Sequence, residues 1–104
     1  MKLEKRGNYF FLKINSTNIT DLSKELDELM KEPFNIILEI EAELINTPSL
    51  ILSLLKYSSF WKKSHKSFIL VVGDFIIENK NLVSVPTLNE AIDYLYMEEL
   101  ERNV

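Results

Sequence analysis

The sequence predicts an α/β domain with a mixed sheet of four or five strands and amphipathic helices mainly on one face. Apolar and polar residues alternate over Phe34–Ile40, as in a strand that buries one face. Segment 67–73 contains the unbroken apolar run FILVV, typical of a strand buried on both faces near the centre of a sheet. Apolar residues at helical spacing recur between such segments, which predicts parallel strands joined through helices by right-handed crossovers.

The predicted elements follow the order β-β-α-β-α-β-(α)-β-α. The chain opens with a hairpin that has an edge strand over Lys2–Lys5, a turn at Gly7-Asn8 and a second strand over Tyr9–Ile14. A helix with Asn18 as its N-cap follows, and its apolar stripe is spaced at three and four residues. The stripe consists of Ile19, Leu22, Leu26, Leu29 and Met30.

The second half of the chain is predicted from its helix and strand boundaries. A helix begins at Thr47-Pro48, because Thr is a favoured N-cap and Pro is favoured at the first helical position. It ends at Lys62-Lys63, two cations at the negative end of the helix dipole. Segment 74–80 is either a short helix or an irregular crossover. A short strand over Leu82–Val85 precedes a final helix from about Leu88, where a capping-box sequence lies.

Composition indicates one domain over residues 1–104 that needs no disulfide, metal or cofactor. The 104 residues are 46% hydrophobic, near the globular average, and include no cysteine. The charged N-terminus lacks the apolar run of a signal peptide, and no segment approaches the roughly 20 apolar residues of a membrane span. We therefore expect a cytoplasmic protein. The net charge of −4 argues against general nucleic-acid binding.

Two groups of side chains suggest chemistry, and each also has a simpler structural interpretation. Glu39, Glu41 and Glu43 would share one face of an extended strand and converge on a divalent cation or act as an acid/base pair. The simpler interpretation is a solvated sheet face. His65 is the single histidine, and we expect a surface or helix-end role for it rather than a catalytic one. No catalytic residue is assigned.

Two further groups suggest contact with a partner. Basic residues alternate with aromatic ones at the end of the second helix, which suits nucleic acid or an acidic partner, or simply helix-end charge complementarity beside core aromatics. This group is Lys56, Lys62, Lys63, His65 and Lys66, with Phe60 and Trp61 between them. Tyr94, Tyr96 and Met97 lie outside the apolar stripe of the last helix and form either a partner surface or an ordinary mixed surface.

The order of elements, the acidic strand end that leads into a helix at residues 44–50, and the closing Thr-x-x-Glu-Ala helix resemble the STAS domain family. This family comprises anti-sigma-factor antagonists and related domains of anion transporters and stress-signalling complexes. The resemblance covers Tyr9 to about Arg102. The family loop Ile-Asp-Ser-Ser-Gly-Leu corresponds to Ile45-Asn46-Thr47-Pro48-Ser49-Leu50. Thr47 falls at the phosphorylatable Ser, and Asn46 replaces an Asp that the family's kinase recognises.

The resemblance implies a STAS-like, non-enzymatic regulatory module of bacterial-type signalling that binds another protein, for example an anti-sigma-type kinase. Its phosphoacceptor-like or partner-contact residues would be Asn46, Thr47, Pro48, Ser49 and Leu50. For Thr47 the simpler interpretation is a helix N-cap. Three alternatives stay open: a module of the same fold that binds a small ligand such as a nucleotide or lipid, an enzyme built on the glutamate face, and a homodimer.

Overall fold

The computed structural model describes residues 2–103 as a five-stranded mixed sheet with helices on both faces. The strands are β1 (Glu4–Arg6), β2 (Tyr9–Ile14), β3 (Ile36–Ile40), β4 (Phe68–Val71) and β5 (Val83–Val85). The helices are α1 (Leu22–Leu29), α2 (Pro48–Lys63) and α3 (Leu88–Arg102). The predicted fold class and order of elements are confirmed. The end residues of the predicted domain, Met1 and Val104, lie outside the described residues.

The strands lie in the sheet in the order in which they occur along the chain. β1 pairs antiparallel with β2 as the predicted hairpin, and β2 to β5 are parallel. The register aligns Leu12, Leu38 and Leu70 across three neighbouring strands, so their side chains form one layer. β3 is therefore the central strand, and β4 lies between β3 and β5. Phe68–Val72 is between 0 and 5% exposed, as the apolar run predicted.

The two faces of the sheet are covered unequally. On one face, α1 and α2 bury a large core in which Leu26, Leu54 and Trp61 pack against the strands. On the other face, α3 contributes Ala91 and Leu95 to a smaller cluster. The prediction that the helices lie mainly on one face is confirmed. The single apolar residue on the polar side of β3, Ile37, belongs to the α3 cluster and is fully buried.

Three predicted details of the loops and caps have clear outcomes. Segment 74–80 is an irregular crossover without a helix. The predicted start of α3 and its Thr87 cap are confirmed, because the Thr87 hydroxyl accepts a hydrogen bond from the Glu90 N–H at 3.2 Å, although no return bond from the Thr87 N–H to the Glu90 carboxylate completes a capping box. The Asn18 cap is wrong: the Asn18 side chain accepts from the Asn15 N–H and donates to the Lys13 carbonyl, at 2.9 and 2.8 Å. These bonds hold the preceding loop, and a 3₁₀ turn at Ile19–Asp21 leads into α1.

The cap of α2 follows the prediction only in its backbone. Thr47 is extended with φ −87° and ψ 109°, and Pro48 occupies the first helical position. The Thr47 carbonyl accepts bonds from the Leu50 and Ile51 N–H groups at 3.1 and 3.3 Å. The Thr47 hydroxyl, however, accepts no capping bond from the first turn. Thr47 therefore begins the helix through its backbone, and its side chain plays no part in the cap.

Parallel strands bring equivalent ends together at opposite edges of the sheet. We call the edge at the starts of β2 to β5 the amino edge, and the edge at their ends the carboxyl edge. The amino edge contains Tyr9, Ile36, Phe68 and Val83 with the residues that precede them. The carboxyl edge contains Ile14, Ile40, Val71 and Val85 with the residues that follow them.

Candidate functional site

A cleft of about 430 Å³ opens at the carboxyl edge. Strand ends and the loops that follow β2, β3 and β4 line it, including Asn15, Glu41, Gly73 and Phe75. In open α/β sheets, ligands and partners are commonly held in the crevice outside the carboxyl ends of the strands. The loop that leads from β3 into α2 begins at this cleft. The cleft therefore makes the carboxyl edge a candidate binding site.

The three glutamates do not form the strand-face cluster that the alternation predicted. β3 ends at Ile40, so that only Glu39 lies on the strand, while Glu43 belongs to a 3₁₀ turn at Ala42–Leu44. Glu39 pairs with Lys13 at 3.5 Å on the solvent-exposed surface, where such pairs contribute little to stability. Across residues 2–103, no group of three or more His, Asp or Glu side chains is placed to hold a metal ion.

The predicted segment from Asn46 to Leu50 divides into a surface part and a core part. Asn46, Thr47, Pro48 and Ser49 are exposed at the start of α2. Leu50 is only 7% exposed and belongs to the main core. Its side chain holds the first turn of α2 against the sheet, so Leu50 anchors the helix and is not part of the contact surface. The other four residues form one accessible patch.

Exposed apolar side chains lie on the same edge of the sheet, in the loop after β4. Ile76 is 82% exposed and Phe75 is 41% exposed, and the Phe75 side chain also lines the cleft. The next residue, Ile77, packs against the main core and anchors the loop. Sequence reasoning missed this surface, because it considered only the conformation of segment 74–80. The available signal was the apolar triplet Phe75-Ile76-Ile77, which has neither helical nor strand periodicity around it.

The other residues that the sequence singled out lie elsewhere. Trp61 is fully buried, as expected of a core aromatic, and Tyr96 and Met97 on α3 are 62 and 55% exposed. His65 follows the end of α2 at the amino edge, which agrees with its expected helix-end role. Burial raises the pKa of Tyr94, and the neighbouring Glu98 and Glu101 carboxylates raise that pKa further.

In the described part of the chain, no helix is both long and apolar enough to cross a membrane. The sequence matches no protein-family model, and a search of curated proteins finds no significant match. The resemblance to STAS domains therefore stays a prediction that rests on the order of elements and on the loop before α2.

Proposed function

We propose that this protein is a non-enzymatic regulatory module that binds another protein through its carboxyl edge. The contact surface consists of Asn46–Ser49 at the start of α2 and Phe75-Ile76 in the loop after β4. The observation that carries the proposal is the exposure of these two apolar side chains on the same edge of the sheet as an accessible helix start. Contiguous apolar groups rimmed by polar residues are typical of protein-binding surfaces.

The apolar residues would supply the binding energy. Covering a mostly exposed isoleucine side chain contributes roughly 1.5–3 kcal/mol, and buried aromatic residues are frequent energetic centres of interfaces. The loop that presents them is held by bonds from the Phe75 N–H to the Val72 carbonyl and from the Asn79 N–H to the Ile77 carbonyl, at 3.3 and 2.9 Å. Such preorganisation lowers the entropy lost when a partner binds.

Thr47 would act as the regulated contact in this surface. Its side chain is exposed, and its hydroxyl has no capping bond to lose. A phosphate there would lie at the positive end of the α2 dipole, which favours the fold, and would add about two negative charges to the interface. We therefore propose that charge at Thr47 weakens binding and leaves stability intact. The proposed partner is a cytoplasmic regulator, for example an anti-sigma-type kinase.

The first experiment identifies a stoichiometric partner by pull-down and then titrates variants against it. Ile76→Ser should weaken binding by about tenfold or more, because it removes an apolar contact worth over 1 kcal/mol. Tyr96→Ser on α3 is the matched control, since it removes an exposed aromatic side chain from a helix outside the proposed surface. If Tyr96→Ser weakens binding and Ile76→Ser does not, the partner binds α3 and the proposal is wrong.

Thr47→Asp tests the regulated contact in the same titration. Its melting temperature should equal or exceed that of the unmodified protein, because Asp is also a favoured N-cap and its charge suits the helix start. Its affinity for the recovered partner should fall. Ser53→Asp, six residues further along the chain at a half-buried position of α2, controls for added charge on the helix. If Thr47→Asp binds the partner with unchanged affinity, Thr47 is not part of the contact surface.

A further inference from the structure

A second cavity, of about 470 Å³, lies at the opposite, amino edge of the sheet. Its walls come from the end of α2, the segment before β5 and the last turns of α3. Basic side chains dominate the lining, although the chain as a whole carries a net charge of −4. The charged and phenolic side chains of the lining are Lys62, Lys66, Lys80, Arg102, Tyr94 and Glu98.

The charges around this cavity are not balanced by the protein itself. Four lining cations, counting lysines and the arginine, face one lining carboxylate, Glu98, which leaves an excess of three positive charges with His65 neutral. Glu98 is already paired with Arg102 at 3.8 Å. Over residues 2–103, Lys62, Lys66 and Lys80 form no ion pair. Lys62 and Lys80, which come from two separate segments, therefore line the cavity without an ion-pair partner among the described residues. The Lys66 ammonium lies 5.9 Å from the centre of the Phe34 ring.

Part of this lining is held in place before any ligand arrives. The Arg102 guanidinium donates to the Ser67 hydroxyl at 2.8 Å, and Ser67 is only 2% exposed. The Ser58 hydroxyl donates to the Asn81 carbonyl at 3.0 Å and so ties α2 to the segment that carries Lys80. An arginine fixed at one nitrogen keeps further N–H donors for a planar or tetrahedral oxyanion.

The turn after α2 places Lys66 on the wall of the same cavity. His65 adopts the left-handed conformation at φ 59°, and the Lys66 N–H bonds the Trp61 carbonyl at 3.0 Å. The His65 N–H bonds the Lys62 carbonyl at 3.1 Å, which completes a Schellman motif. Lys62 on the last turn and Lys66 just beyond the turn thereby line one cavity.

We propose that the amino-edge cavity binds a small phosphorylated molecule that carries a di- or triphosphate group. Several cations around a cavity of this size suit a compact ligand with at least two negative charges, because each additional oxyanion finds another cation within the same walls. The Tyr94 phenol remains protonated at neutral pH and offers a donor on the cavity wall. This site is independent of the carboxyl-edge surface and does not rest on the proposed partner.

A simpler explanation for the lysines is that cations stabilise the C-terminus of α2 through the helix dipole. The chain contains a matched control for it, because Lys62 and Lys63 both lie in the last turn of α2. Only Lys62 lines the cavity. Helix-dipole stabilisation predicts that substitution of either lysine lowers the melting temperature equally. A bound anion predicts that substitution of Lys62 alone weakens anion binding.

The test is isothermal titration calorimetry with inorganic pyrophosphate, inorganic triphosphate and ATP, in magnesium-free buffer at about 0.15 M ionic strength, where the Debye length is about 8 Å. The unmodified protein should bind pyrophosphate or triphosphate at one site per chain. Lys62→Gln should weaken binding about tenfold, as expected for loss of one charge-assisted contact. Lys63→Gln should stay within about twofold, because its charge lies outside the cavity. Melting curves confirm that each variant is folded.

The three probes separate the sources of the phosphate. Equal affinities for triphosphate and ATP would support a site that binds only the phosphates, and tighter binding of ATP would support added contact with the nucleoside. The proposal is overturned if neither pyrophosphate nor triphosphate binds at millimolar concentration. It is also overturned if Lys63→Gln weakens binding as much as Lys62→Gln.

Discussion

The two edges of the sheet are built by different interactions. At the amino edge, buried Asn35 accepts a bond from the Ser67 N–H at 2.9 Å and donates to the Asn8 carbonyl at 3.0 Å. The Trp61 indole N–H donates to the Phe34 carbonyl at 2.7 Å. These bonds join residues at least 27 positions apart. At the carboxyl edge, the loop after β2 is held by side-chain bonds that span no more than five residues.

This difference separates stability from recognition. Long-range side-chain bonds at the amino edge fix the ends of several strands to one another, so substitution of the buried side chains that form these bonds affects the whole fold. The carboxyl edge relies on backbone turns and on apolar anchors such as Leu50 and Ile77. Its exposed residues can therefore change with little effect on stability, which is what a partner-binding surface requires. The predictions below test this contrast.

The largest effect is expected from Asn35→Ala. The Ser67 N–H would lose its acceptor, and the bonds that Asn35 donates to Asn8 and Glu99 would also be lost. The free energy of unfolding should therefore fall by about 3 kcal/mol. Asn46→Ala is the matched change at the carboxyl edge, where the side chain is exposed, and it should alter the free energy by less than about 0.5 kcal/mol. Urea denaturation followed by far-UV circular dichroism measures both. Equal losses would remove the contrast between the edges.

Trp61→Phe should have the next largest effect. It removes a fully buried bicyclic ring and leaves the Phe34 carbonyl without its donor, so the expected loss is about 2 kcal/mol. Leu52→Ala near the other end of α2 truncates a side chain that is 69% exposed, and it should change stability by less than about 0.5 kcal/mol. Far-UV circular dichroism is again suitable, because the fluorescence of the single tryptophan is lost in the variant. If Trp61→Phe lowers stability less than Leu52→Ala does, Trp61 does not stabilise the amino edge as proposed.

The sequence predicted the fold well because its signals are local and periodic. The alternation at Ile36–Ile40, the run at Phe68–Val72 and the Thr87 cap each specify an element through neighbouring residues. Predictions about single polar side chains did less well. Asn18 bonds the loop before it instead of the helix, and Thr47 begins α2 without a side-chain bond. In each case the side chain had several nearby backbone partners, and the three-dimensional course of the loop selects among them.

The two candidate sites were only partly accessible to sequence analysis. Asn46–Ser49 was proposed from the resemblance, but the exposure of Phe75 and Ile76 depends on how the crossover lies against the sheet. The amino-edge cavity combines Lys62 and Lys66, which were noted as a basic stretch, with Lys80 and Arg102 from distant segments. No local pattern links these four residues, because the parallel order of β4 and β5 brings them together.

His65→Gly should raise stability modestly. A non-glycine residue at φ 59° carries backbone strain, whereas glycine adopts that conformation freely, so we expect a gain of about 0.5–1 kcal/mol after the added flexibility of the unfolded chain is counted. His65→Ala is the control, since it removes the imidazole and keeps the strain. Thermal melting at neutral pH distinguishes the two. An equal gain for His65→Ala would show that the imidazole, and not the backbone, is unfavourable there.

The smallest effect is expected at Thr47, and the chain provides its own comparison. Thr47 and Thr87 both precede a helix in extended conformation, but only Thr87 accepts a bond with its side chain. Thr87→Ala leaves the Glu90 N–H without its acceptor and should cost about 1 kcal/mol. Thr47→Ala removes no capping bond from an exposed site, so its effect should stay within about 0.3 kcal/mol.

Denaturant titrations of the two variants side by side measure the difference directly. A loss near 1 kcal/mol for Thr47→Ala would mean that the hydroxyl caps α2 in solution, and it would return this residue to a purely structural role. A negligible loss of stability for Thr47→Ala would mean that the Thr47 backbone and Pro48 set the conformation of the helix start. If Thr47→Asp also weakens partner binding, the Thr47 side chain serves recognition.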